Sequence, residues 1–365
     1  MIEPIPRIAA VPASTPFVGP ETLARREGIA DLVRLGANEN AFGPSPRALD
    51  AMRAELERAA YYGDPESLLL REALAERHNC SPEHISIGAG IDDLQGLLVR
   101  SYLGEGTAVL TLGTYPTFMY HVVGYGGRAA TVPYADDGSL QLDALAALAR
   151  EHRPRLVYIS NPDNPSGSYV KREALERFVD RLPEDTLLVL DEAYVDYLDE
   201  TYFGDTVHPR IVRMRTFSKV YGMAGMRIGY VLAPPEAIAT FQKIRLHFAV
   251  NRIAQAGARA ALEDRSFVEN VKRETARGRD EYHAIGRALG CATLPSCTNF
   301  VCFNLGTSAR AEAMVQELLR RGIFVRKPGA PPLDGHIRVS VGAQRERARF
   351  AQAFEQGLDA LRAAG

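Results

Sequence analysis

Residues 155–167 read RLVYISNPDNPSG, residues 186–194 read TLLVLDEAY and residues 211–219 read IVRMRTFSK. Each is a short apolar run, rich in β-branched side chains, that stops abruptly in polar residues. A strand buried on both faces has this look, because neither face needs the apolar–polar alternation of a half-exposed strand. Between the first two lies VKREALERFVDRL (170–182), with helical periodicity. Outward from this stretch the same kind of run recurs at HISIGAG (84–90), AVLTLG (108–113), AATVPY (129–134) and RIGYVLA (227–233), with LQLDALAALAREH (140–152) as another intervening helix. Seven runs alternating with helices predict an α/β body with a mainly parallel seven-stranded sheet, covered on both faces.

The flanks differ. Residues 1–44 are rich in proline and short of periodicity, which reads as an extended arm. Pro46 then opens a helical pattern, ALDAMRAELERA, and a second follows over 65–78. Beyond Pro234 long helical patterns run to Gly290, and CATLPSCTNFVCFNL, GIFVRK and HIRVSVG supply strands, with helices over 307–321 and 343–362. The expected organisation is an arm over 1–44 joining the small unit, a large body over 45–250 and a smaller α+β unit over 251–365. The helical stretch at 250–290 would bridge the two units.

Composition narrows the function classes. The chain has 365 residues, 46% hydrophobic and 24% charged, as ordinary globular proteins do. A formal net charge of −2 argues against a nucleic-acid binder, which needs a basic face. The four cysteines, Cys80, Cys291, Cys297 and Cys302, form no CxxC pair, so no metal site is expected and a reducing, cytoplasmic setting is. Prolines interrupt the N-terminal stretch before any signal-like apolar core forms, and no run approaches the roughly 18 apolar residues of a membrane span.

Open α/β sheets bind ligands beyond the C-terminal ends of their strands. After HISI come Gly88-Ala89-Gly90 and then Ile91-Asp92-Asp93 at a helix start. After RLVYIS comes Asn161 to Gly167, after TLLVL comes Asp191 to Tyr194, and after VRMRTF come Ser218, Lys219 and, further on, Arg227. Each has an ordinary reading as a tight turn, a helix cap or a surface cation. Together they supply a phosphate cradle, a carboxylate, an amide, a phenol, a lysine and an arginine. A phosphorylated pyridine aldehyde needs that set. Its phosphate takes helix N-terminal amides with Ser and Arg, its ring nitrogen keeps a proton beside a buried Asp, and its aldehyde takes a lysine amine. No GxGxxG or Walker pattern follows a strand, so a dinucleotide enzyme is disfavoured.

TFSK with GMAGMRIG (216–219 and 222–229), NPDNPSG and VLDEAY resemble, in order and separation, the blocks of fold-type I aminotransferases that use pyridoxal 5'-phosphate (PLP). LGANENAFGPSP (35–46), YGDP (62–65), RMRTFSK and HIRVSVG are most similar to the histidinol-phosphate aminotransferase branch. The resemblance implies that Lys219 forms the aldimine link to PLP and carries the proton between substrate Cα and cofactor C4′. It implies Asp191 on the pyridine nitrogen and Asn164 and Tyr194 on the ring oxygen. Ser218, Arg227 and the amides of Gly90, Ile91 and Asp92 would hold the phosphate, with Tyr115 stacked on the ring. Tyr62 would reach the neighbouring subunit's cofactor in a homodimer. Arg338 would grip the donor's carboxylate, with Asn40 and Phe17 also in the substrate site.

Four positions depart from that branch: Val220 follows the lysine, Ala41 replaces a proline, HFAVN stands at 247–251, and Phe17 stands where a tyrosine helps recognise histidinol phosphate. The expected reaction is therefore amino transfer from histidinol phosphate, or from an aromatic or other amino acid, to a 2-oxo acid such as 2-oxoglutarate. A PLP decarboxylase or lyase would carry the same cofactor residues. A non-catalytic PLP-binding regulator would carry an added DNA-binding domain, of which the sequence has no sign.

Overall fold

The computed structural model describes residues 2–9, 18–198 and 207–363, and among them eleven strands organise the fold. They are β1 (Val33–Arg34), β2 (Ile85–Gly88), β3 (Thr107–Thr111), β4 (Arg128–Val132), β5 (Leu156–Ser160), β6 (Leu187–Asp191), β7 (Ile211–Thr216), β8 (Gly229–Leu232), β9 (Phe300–Asn304), β10 (Ile323–Phe324) and β11 (His336–Ser340). Seven form one sheet in the order β2-β8-β7-β6-β5-β3-β4. All pairs are parallel except those of β8, which runs against both β2 and β7. The sheet is mainly parallel, as the seven apolar runs predict.

Burial explains why those runs lack alternation. Every residue of β5 and β7 is buried. On one face Leu110, Tyr158, Val189, Val212 and Met214 pack under the helices Ile91–Tyr102 and Pro235–Gln242. On the other, Val109, Val157, Ile159, Leu188 and Leu190 pack under Leu142–His152 and Arg172–Asp180. Neighbouring residues alternate between two cores, and both need apolar side chains.

The C-terminal strands build two short ladders rather than one sheet. β9 pairs antiparallel with β11, and β10 pairs in parallel with β1 of the arm. A bridge between Arg326 and Arg338 and the bond from Ser340 N to Leu35 O join them. Helices Ser308–Arg320 and Gln344–Ala363 cover this assembly through a cluster containing Tyr282, Phe303, Phe350 and Phe354.

The linking helices divide their loyalties. Arg252–Glu263 packs on Pro46–Leu56, where a Cβ at Gly257 would meet Met52 Cγ at 2.6 Å. Ser45 caps the helix Pro46–Leu56, accepting from Ala48 N at 3.2 Å. Arg265–Ala288 begins with Val271 in one cluster with Met52 and Ala258 of those two helices and ends under the small ladders with Tyr282. Among the described residues no helix is long and apolar enough to cross a membrane.

Candidate active site

β5, β6 and β7 lie side by side and point the same way, so the segments that leave their C-terminal ends are neighbours. These segments carry Asn164, Asp191 and Lys219. The reversed strand β8 adds to the same edge, because Gly229 at its start is in register with Thr216 at the end of β7 and Gly88 at the end of β2. Arg227, just before β8, thereby meets Ser218 and the Gly90 turn.

Asp191 is buried at 3% exposure and held from both sides. Its Oδ2 accepts from Tyr158 Oη at 2.8 Å and from Gln95 Nε2 at 3.2 Å, and its Oδ1 accepts from Ala193 N at 3.0 Å. Burial raises its pKa to about 6, against the pull of those donors. Next to it, Glu192 is fully buried between two buried arginines of β7, with Arg213 Nε at 3.1 Å and Arg215 Nε at 2.7 Å. Paired charges of this kind are costly to break, because either partner alone would remain buried and uncompensated. They fasten the end of β6 to the strand that leads to Lys219.

Lys219 is half-buried, with Nζ donating to Asn38 O at 3.2 Å and standing 5.6 Å from the Tyr194 ring centre. Burial, then the Arg338 guanidinium, lowers its pKa to about 8. The acid and the base of the cleft are thus both displaced toward their neutral forms. A protonated pyridine nitrogen against Asp191 and a carbonyl condensed with Lys219 would relieve both displacements, so the donor set fits PLP.

Gly90 adopts φ +89° and caps the helix Ile91–Tyr102. A Cβ there would meet Arg227 Nη2 at 2.6 Å, so only glycine lets the guanidinium lie against the turn. Arg227 donates to Ser218 Oγ at 3.5 Å and pairs with Asp92 Oδ2 at 3.3 Å. Backbone amides at a helix start, a hydroxyl and a guanidinium converge here, as a phosphate requires. Tyr115 is half-buried after β3, with Asp92 among the charges that raise its pKa after burial itself.

Arg338 reaches in from β11. Its Nη1 donates to Asn164 Oδ1 and its Nη2 to Gly36 O at 3.1 Å, while the guanidinium lies over Phe300 at 5.3 Å. Its buried Nε has no hydrogen-bond partner among the described residues. Across the bridge stands Arg326, whose pKa is lowered by burial and by Arg338. Two guanidiniums side by side make this corner strongly anion-seeking.

The other expected residues lie elsewhere or do other work. Tyr62 is 78% exposed and stacked on Phe248 at 4.5 Å, away from this cluster of bonds. Asn40 donates to Val220 O at 2.8 Å and accepts from Phe42 N at 2.9 Å, which shapes the loop beside Lys219. Phe17 lies outside the described residues. Sequence reasoning missed Asn38, Gln95, Tyr158 and Arg326. Only Asn38 had a visible signal, two residues before Asn40 in a loop already singled out.

The chain matches the family Aminotransferase class I and II over residues 30–355. It is 35% identical over 361 residues to a histidinol-phosphate aminotransferase of Anaeromyxobacter sp. (strain Fw109-5), covering 97% of this chain and 99% of that one. It is 38% identical over 345 residues to a histidinol-phosphate aminotransferase of Symbiobacterium thermophilum, with 93% and 94% covered. The crystal structure of histidinol-phosphate aminotransferase from Sinorhizobium meliloti, in complex with pyridoxal-5'-phosphate, superposes with a TM-score of 0.94 at 43% identity, covering 98% of both chains. With a strand order, a site at the sheet's edge and a whole-length likeness that agree, this chain belongs to the class I and II aminotransferase family, in its histidinol-phosphate aminotransferase branch.

Proposed function

We propose that this protein is a PLP-dependent aminotransferase that moves an amino group from histidinol phosphate, or from an aromatic or other amino acid, to a 2-oxo acid such as 2-oxoglutarate. The observation that carries the reading is the convergence of Asn164, Asp191 and Lys219 at adjacent strand ends, with Arg338 reaching Asn164 from β11. When bound, PLP supplies an aldehyde that accepts the amino group and a ring that draws electrons from the substrate Cα.

The chain's own residues do the rest. Lys219, with a pKa lowered to about 8, has neutral amine available near neutral pH for joining the aldehyde and for moving a proton between Cα and C4′. Asp191 keeps the pyridine nitrogen protonated, and Tyr158 and Gln95 hold its carboxylate in place. Asn164 and Tyr194 face the ring oxygen, and Tyr115 the ring. Ser218, Arg227 and the amides of Gly90, Ile91 and Asp92 bind the phosphate. Arg338, helped by Arg326, orients the anionic end of each substrate with paired hydrogen bonds that lysine could not reproduce. Asn40 shapes the loop beside them.

The active unit in this reading is a homodimer in which Tyr62 completes the partner's site. Leu56, Tyr61, Tyr62, Leu69, Leu246 and Phe248 are all exposed, with Tyr62 stacked on Phe248, and exposed apolar side chains of this kind favour burial by a second copy. The division into a cofactor body over 45–250, a small unit over 251–365 and an arm over 1–44 belongs to the same reading, with the helix Arg252–Glu263 packed on the body. A cytoplasmic location agrees with four cysteines that form no disulfide. Two measurements test the function: borohydride trapping of PLP at Lys219, and a donor panel of histidinol phosphate, phenylalanine, tyrosine and glutamate with 2-oxoglutarate. Absence of a trapped adduct at Lys219 sinks the cofactor assignment.

A further inference from the structure

Asn38 is 1% exposed, sits at φ +53°, and uses every polar group it has. Its N–H donates to Ser340 Oγ at 2.9 Å. That hydroxyl, having accepted one proton, donates its own to Asn38 Oδ1 at 3.0 Å. The amide is thereby oriented with its oxygen toward β11 and its Nδ2 toward Tyr194, whose hydroxyl it reaches at 2.8 Å. The Asn38 carbonyl accepts from Lys219 Nζ at 3.2 Å and from Asn299 Nδ2 at 3.0 Å.

The direction of these bonds has a consequence. An amide N–H can only donate, so the Tyr194 oxygen accepts from Asn38 and cannot give its proton back there. We propose that Asn38, fixed by Ser340, is a positioning residue that directs the Tyr194 phenol proton away from the arm and toward the ligand in the cleft. Accepting one hydrogen bond also makes the phenol a stronger donor of its own. The inference rests on the PLP reading, in which that proton meets the cofactor's ring oxygen. Charged and titratable groups facing Tyr194 are Lys219, Arg338, Asp191, Asp163, Tyr115 and Tyr197. All of them stay in place in the variants below.

The test is a pH titration of the visible absorption band of the PLP-loaded protein. A donor to the ring oxygen favours the form in which the linkage nitrogen has lost its proton, so weakening that donor raises the midpoint. Tyr194→Phe should raise it by about one unit, and Asn38→Gly by roughly half a unit. Glycine accepts the left-handed backbone of position 38, so this variant removes the amide without strain. Ser340→Ala, which leaves position 38 intact, should shift the midpoint in the same direction by less. The double variant Asn38→Gly/Tyr194→Phe should titrate like Tyr194→Phe alone, because Asn38 acts only through the phenol. A parental midpoint in both Asn38→Gly and Ser340→Ala, beside a shifted Tyr194→Phe, overturns the inference and leaves the PLP reading standing. So do additive shifts in the double variant. A parent with no visible band overturns the PLP reading, and this inference with it.

Discussion

Arg338 of β11 hydrogen-bonds Asn164 in the turn after β5, joining residues 174 positions apart in sequence. A guanidinium from the C-terminal ladder therefore touches a residue assigned to the cofactor ring. Replacing it should disturb both half-reactions together. Arg338→Ala is expected to lower kcat/KM at least tenfold for donor and acceptor alike, because breaking a partly buried charge-assisted contact costs about 2–5 kcal/mol. Arg338→Lys should rescue little, since a single ammonium cannot span Asn164 Oδ1 and Gly36 O while offering a paired face to substrate. Steady-state kinetics with each substrate varied in turn decides it, and a loss confined to one half-reaction contradicts the shared role.

Asp191 makes a sharper case. Its carboxylate is buried, held by Tyr158 and Gln95, and raised to about 6 by that burial. Asp191→Asn preserves shape and removes charge. It should retain PLP yet lose on the order of 10²–10³ in turnover, as removing one preorganised electrostatic partner does. Gln95→Ala should cost less, because Tyr158 still holds the same oxygen. Turnover within tenfold of the parent for Asp191→Asn would remove its assigned role.

A buried histidine should govern acid stability. His78 is 1% exposed, bonded to Tyr230 Oη at 3.0 Å, and its pKa is lowered to about 2, first by burial and then by Arg215 and Arg213. The unfolded chain takes up this proton near pH 6.5, whereas the folded chain resists it. Stability from this group is therefore full above pH 6.5 and falls as pH drops, by about 1.4 kcal/mol per unit. Between pH 7.5 and pH 5 the loss is about 2 kcal/mol. His78→Gln keeps a polar partner for Tyr230 and should flatten the thermal-unfolding profile over that range. An equally steep acid limb in the variant rules this out.

Assembly can be tested by complementation. Tyr62 is exposed in its own subunit, while Lys219 lies at the strand ends. If each site borrows Tyr62 from the partner, mixing inactive Tyr62→Ala and Lys219→Ala proteins creates hybrids with one intact site. Activity should climb toward a quarter of the parent's as subunits exchange. No recovery, with exchange verified by mass, contradicts the shared site.

Much of this was legible because catalytic groups in an open α/β sheet follow their strands directly. NPDNPSG, DEAY and SK each stand immediately after an apolar run, and parallel order brings such ends together without further information. What stayed hidden depends on contacts between distant elements. Nothing in IVRMRT says that Arg213 and Arg215 close on Glu192, since two arginines in a buried run reveal a need for a partner but not its address. Gln95 and Tyr158 read as one helix residue and one strand residue, yet they meet on Asp191. The β1–β10 ladder is two residues long, too short for any periodicity to declare it.

Substrate choice turns on the corner shared by Arg338 and Arg326. The two are bridged through their backbones, and Arg326 stacks over Phe324 at 5.3 Å while donating to Val18 O at 3.1 Å. Arg326 is thus tethered to Val18 of the arm. Two guanidiniums match a substrate that brings two negative charges, either the phosphate of histidinol phosphate or the two carboxylates of glutamate and 2-oxoglutarate. A neutral aromatic ring gives Arg326 no charge to answer. Arg326→Ala should therefore depress kcat/KM for histidinol phosphate and for glutamate by at least tenfold, while phenylalanine falls by less than threefold. The resemblance puts Phe17 where a tyrosine helps recognise histidinol phosphate, so Phe17→Tyr should raise the preference for histidinol phosphate over phenylalanine by several-fold, the worth of about one hydrogen bond. The deciding numbers are kcat/KM for histidinol phosphate, glutamate, phenylalanine and tyrosine in the parent and in both variants. An equal loss on all four in Arg326→Ala makes that arginine structural. No turnover of histidinol phosphate by the parent removes it as a substrate and leaves transfer from other amino donors.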